Sequence, residues 1–116
     1  MSRDRQRLDD FLAHILEAIA RIEQYTSGMA DTDFLKKLLV QDAVIRNLEI
    51  IGEASSNIEK QYPEFATTHP ELPLAFAYQM RNAVAHGYFK VDLQIVWQTI
   101  RSDLPGFRDK VRAASR

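Results

Sequence analysis

Apolar residues return every three or four positions along most of this chain, and the intervals between them are filled by charge. Leu8, Phe11, Leu12, Ile15, Ile19 and Ile22 recur in this way among Asp, Glu and Arg, which predicts an amphipathic helix over 4–25, ended by Ser27-Gly28. Asp31 or Thr32 is placed to cap a second helix, which Leu35, Leu38, Leu39, Ile45, Leu48, Ile51 and Ile58 carry to about Glu59. Gly52 inside that helix marks a kink or a close approach to another backbone. Its other face carries Arg46, Ile50, Glu53 and Asn57, a partly polar stripe. The breaker-rich stretch from Tyr62-Pro63 through Pro70 and Pro73 predicts a connection with at most a short helical turn. A helix over 74–85 follows, packing through Ala77, Met80 and Val84. Asp92 then caps a helix with Leu93, Val96, Trp97 and Ile100 inward, and Pro105 opens a last short helix ending near Ala113. No run of β-branched residues alternates as a strand would. The pattern therefore predicts one all-α domain over residues 1–116, a bundle of four to five helices.

Composition narrows the possibilities. A chain of 116 residues, 46% apolar, suits one domain with a real core, and its large surface-to-volume ratio makes a homodimer a natural way to bury more. The absence of cysteine removes disulfides and thiolate metal ligands and suits a reducing cytoplasm. The longest uncharged run, Leu72 to Met80, is far too short for a bilayer and not N-terminal, so neither a membrane helix nor a signal peptide is expected. A net charge of −1 argues against a protein that coats nucleic acid, so any RNA site must be local. Arg3, Arg5 and Arg7 are diluted by Asp4, Asp9 and Asp10, whereas Arg81, His86 and Lys90 form a better cluster. His14, His69 and His86 are scattered without metal-ligand spacing, and no glycine-rich phosphate loop occurs, so no metal and no cofactor are expected.

Chemistry concentrates in Arg81-Asn82-Ala83-Val84-Ala85-His86-Gly87-Tyr88, where a fixed cation, an amide, an imidazole and a phenol are grouped. Ala83, Val84 and Ala85 favour helix and Gly87 favours its end, so the imidazole falls at or near a helix C-terminus. At about 100° per residue Asn82 and His86 share a face, with Arg81 at its edge. Metal-independent RNA cleavage needs a base for the 2′-hydroxyl proton and a cation for the charged phosphorane, roles that His86 and Arg81 suit. Asn82 suits orienting the imidazole or binding a phosphate oxygen. The same residues also read without chemistry: Arg81 paired with a surface carboxylate, His86 capping helical carbonyls, and Tyr88 as packing. For Glu53 the choice lies between bracing Arg81 or His86 across the bundle and belonging to an ordinary exposed face.

Arg81 to Phe89, with Val91-Asp92, Val96-Trp97 and Asp103-Leu104-Pro105 after it, resembles the HepT-like branch of the HEPN superfamily. So does Asp42 to Ala54, with its Ile51-Gly52-Glu53-Ala54 core, and the resemblance runs from Phe11 to about Val111. The family carries tryptophan in many members where Leu74 follows Pro73 here. The resemblance implies a small helical homodimer, a toxin that cuts RNA and pairs with a minimal nucleotidyltransferase antitoxin. It maps Arg81 and His86 onto the catalytic pair, Asn82 onto the polar residue after the arginine, and Tyr88 onto the tyrosine that receives AMP from the partner. It inclines Glu53 toward the site. The other function compatible with the same residues is a non-catalytic nucleotide- or RNA-binding module that partners the nucleotidyltransferase.

Overall fold

A computed structural model gives the fold for residues 2–86 and 92–115, with side chains over 5–81 and 92–115. In chain order the helices are α1 (Ser2–Tyr25), α2 (Asp31–Phe34), α3 (Leu38–Gln61), α4 (Pro63–Thr68), α5 (Leu74–His86), α6 (Leu93–Gln98) and α7 (Leu104–Ala114). A π-helical turn, Thr99–Asp103, joins α6 to α7. The described residues contain no strand.

Of the predicted stripe of α1, Leu8, Leu12, Ile15, Ile19 and Ile22 lie in the core and Phe11 is half-buried against it. Each residue in the core contributes roughly 1.5–3 kcal/mol by leaving water. The helix ends where the Thr26 hydroxyl donates to the Ile22 carbonyl oxygen at 2.8 Å, and Gly28 turns the chain at φ 75°. That left-handed conformation favours glycine. The central element is α3, which packs against α1 on one side and α5 on the other. Arg108 of α7 reaches Glu23 of α1 in an ion pair that ties the last helix to the first.

Instead of one helix from Asp31 to about Glu59, the chain folds as α2 and α3 with a break over 35–37, where Lys37 is extended (φ −111°, ψ 91°). Phe34 explains the break. Its ring is fully buried and lies 5.1 Å from that of Trp97 on α6. Gln41, itself buried, donates from Nε2 to the Phe34 carbonyl oxygen at 2.9 Å and satisfies an acceptor that the interrupted helix leaves behind. Consequently Leu35, Leu38 and Leu39, expected to be part of the apolar face, are exposed, while Val44, Leu48, Ile51 and Ile58 carry the burial. Nor is Asp31 or Thr32 the cap: α2 starts from Ala30, whose N–H donates to the Asp33 carboxylate at 2.9 Å.

In the proline-rich connection a short α4 begins at Pro63 and buries Phe65. Asp92 caps α6 as expected, accepting from the N–H groups of Gln94 (3.0 Å) and Ile95 (3.2 Å). The last two helices form one continuous path. In a straight α-helix the ring of Pro105 would collide with the carbonyl four residues back and leave it without a donor. The wider turn just before it, closed by the Leu104 N–H on the Thr99 oxygen, absorbs that conflict.

Candidate functional site

The site is built where α3 and α5 come closest, and Gly52 sets the distance. A Cβ at Gly52 would lie 2.2 Å from Arg81 Cβ, 2.9 Å from Arg81 Cγ and 2.9 Å from the Ala77 carbonyl oxygen. Real atoms cannot approach so closely, so only a residue without a side chain lets α5 rest here. Of the two readings offered by Gly52, close packing against another backbone is the one realised, within an unbroken α3. The aliphatic stem of Arg81 lies directly against this contact.

The guanidinium finds its partner on α3. Arg81 Nη1 donates to Glu53 Oε2 at 3.1 Å across the two helices. The Arg81 side chain is 30% exposed and that of Glu53 is 67% exposed, so the pair contributes little to stability, about 0–1 kcal/mol. Its effect is orientational. Glu53 holds one edge of the planar cation, whose five N–H donors form a rigid fork, while Nε is buried and makes no hydrogen bond among the described residues. A cation fixed at its root by Gly52 and along one edge by Glu53 can take a second anion without reorganising.

The structure thus brings Glu53 to Arg81. It carries α5 through Asn82 to His86, the last residue of the helix, as the Ala-Val-Ala-His-Gly order implies. The side chains of Asn82 and His86 lie outside the described residues, as does Tyr88 entirely.

Beside Arg81 lies a feature that sequence reasoning missed: a shallow depression of about 380 Å³ lined by Ser56, Glu59, Lys60, Tyr78 and Arg81. Residues further along α3 here face residues further back along α5, so the helices run in opposite directions. The available signal was the continuation of the polar face, since Ser56 and Lys60 follow Glu53 at steps of three and four. No helix among the described residues is long and apolar enough to cross a membrane.

Comparison with known proteins places this geometry in context. The family described as "Ribonuclease HepT-like" matches residues 15–114. The chain is 44% identical over 101 residues to "Probable ribonuclease HepT" of Thermococcus cleftensis, covering 87% of this chain and 89% of that protein. It is 34% identical over 102 residues to a protein of Caldanaerobacter subterraneus subsp. tengcongensis named "Putative RNase TTE0752", covering 88% of each. A protein of Methanocaldococcus jannaschii named "Gamma-glutamylcyclotransferase and putative RNase MJ0434" is 36% identical over 107 residues, which are 92% of this chain and 47% of that longer protein. No solved structure matches.

Proposed function

Since this chain belongs to the HepT-like ribonuclease family of the HEPN superfamily, we propose that it is a metal-independent endoribonuclease and the toxin of a toxin–antitoxin pair. The observation that carries the reading is the Arg81 guanidinium, seated on Gly52 and held along one edge by Glu53, on the helix that ends at His86. In the proposed reaction the His86 imidazole takes the proton of a ribose 2′-hydroxyl as its oxygen bonds to the adjacent phosphorus. Arg81 neutralises the phosphorane oxygens, where charge develops, and Asn82 orients the imidazole or a phosphate oxygen. The bond from phosphorus to the 5′-oxygen breaks, and that oxygen leaves with a proton from water. The hydroxide so formed takes the proton from the imidazolium and resets the base. The products are a 2′,3′-cyclic phosphate end and a 5′-hydroxyl end.

Two copies working as a symmetric cytoplasmic dimer would line one cleft with both Arg81–His86 pairs. Control comes from a minimal nucleotidyltransferase: the Tyr88 phenol oxygen attacks the α-phosphorus of ATP, AMP is transferred and pyrophosphate leaves. Tyr88 is two residues beyond His86, so the adduct brings bulk and negative charge to the cations that would hold the substrate phosphate.

Purified parent, Arg81→Ala and His86→Ala proteins, incubated with total RNA in chelator, test the reading. Cleavage by the parent with 2′,3′-cyclic ends, lost in both helical variants, is expected; equal cleavage by His86→Ala overturns the assignment. An intact parent that binds RNA without cutting it would leave the binding module instead. Intact mass after incubation with the active transferase and ATP should rise by AMP units on the parent and stay unchanged on Tyr88→Phe. An adduct mapped to Tyr78 or Tyr62 removes the control mechanism.

A further inference from the structure

We propose that the depression between α3 and α5 seats one nucleotide beside the phosphate held by Arg81, with its base on Tyr78, its phosphate toward Lys60 and its amino edge toward Glu59. This rests on the ribonuclease reading and extends it to a substrate subsite. Arg81 is itself among the described residues that line the depression, so a strand bound at the guanidinium lies within reach of it. Tyr78 precedes Arg81 by three residues on α5, which places it on the same face about 4.5 Å further back along the axis. It is half-buried and, among the described residues, is the one aromatic side chain lining the depression. Single-stranded RNA is held by such pairings of an aromatic platform with flanking cations, because every base offers a face that stacks.

Charge assigns the rest. Among the described residues neither Lys60 nor Glu59 takes part in an ion pair, so both remain available to a ligand. Lys60 and Glu59 offset one another and Glu53 offsets Arg81, so the pull on a phosphate comes from Lys60 and the open edge of Arg81, in a chain whose net charge is −1 and whose RNA affinity must therefore be local. Lys60 is exposed in the last turn of α3 and free to meet a phosphate. Glu59 would repel a phosphate, but its carboxylate is an acceptor for the amino hydrogens of cytosine, adenine or guanine. Uracil has no amino group and is the base that this subsite disfavours.

The test uses short fluorescein-labelled 2′-O-methyl oligonucleotides, which cannot be cleaved, with an abasic site moved along the strand. Anisotropy titrations of the parent should find one position where removing the base weakens binding about tenfold, and where uracil weakens it relative to cytosine. In Tyr78→Ala that penalty should vanish while Tyr78→Phe keeps it. Lys60→Ala should reduce the slope of affinity against salt by about one phosphate contact. Lys60 is exposed, so this variant tests the site even where Tyr78→Ala fails to fold. On cleavable RNA both variants should raise KM with kcat retained. A position-specific penalty that persists in Tyr78→Ala, or a salt slope unchanged in Lys60→Ala, overturns the subsite. Because the binding arm requires no cleavage, the two readings fail separately. A parent that shows this footprint without cutting RNA retains the subsite and loses the ribonuclease, whereas cleavage with unchanged Kd and KM in both variants does the reverse.

Discussion

A methyl group added at Gly52 would meet the root of Arg81 and the backbone oxygen of Ala77, at 2.2 and 2.9 Å. Neither belongs to the free end of a flexible chain, so α3 and α5 must separate to admit it. Gly52→Ala is expected to lower stability by about 1–3 kcal/mol, the usual cost of overpacking. It should also abolish RNA cleavage at temperatures where the variant is still folded, because Arg81 is the first side chain displaced. Thermal unfolding and a cleavage assay below the transition check both. Gly106 is the contrasting case: it lies in α7, and a Cβ there meets nothing within 4 Å. Gly106→Ala should therefore raise stability by about 0.5–1 kcal/mol through helix propensity alone, with cleavage unchanged. At this scale the sequence was partly informative. An isolated glycine in a helical pattern marks Gly52, and the family resemblance inclines its neighbour Glu53 toward the site. Ser56 and Lys60 carry only the weak mark of continuing the polar face from Glu53, and Glu59 and Tyr78 are ordinary surface types that acquire meaning when two helices bring them together.

Among the elements, those with charge between every apolar step were legible from periodicity, and α1 is the clear example. The α2–α3 break was hidden because Leu35, Leu38 and Leu39 continue a helical spacing while facing solvent. Periodicity reports which residues share a face but not whether another element covers it. What interrupts the helix is a distant partner, the ring of Trp97 that receives Phe34, and a local pattern contains no trace of it. The Asp92 cap was readable because its signal is local. Its carboxylate satisfies two N–H groups at the start of α6, so Asp92→Ala should cost about 1 kcal/mol. The urea midpoint should fall with the slope unchanged; a midpoint equal to that of the parent would show that these bonds contribute nothing.

At the scale of the molecule, the most exposed large apolar side chains among the described residues are Leu38 (74%) and Leu39 (84%) at the beginning of α3, followed by Ile95 of α6 at 52%. Apolar surface of this kind favours a second copy as cover. Sedimentation at roughly 50 µM should give a dimer, and Leu38→Ser with Leu39→Ser should shift it toward monomer at unchanged helix content. A monomeric parent at that concentration would refute the pairing. Trp97 offers an optical view of the same fold. It is the chain's single tryptophan, held between the Phe34 ring at 5.1 Å and the Arg101 guanidinium at 5.2 Å. Its indole thus lies against two places where the helical path departs from regularity, the separated α2 and the π turn. Its fluorescence reports that corner alone, whereas circular dichroism averages over every helix. Coincident urea transitions by the two probes are expected for a core that melts as one unit; a red shift in emission at lower urea would reveal that the α2–α6 corner opens first.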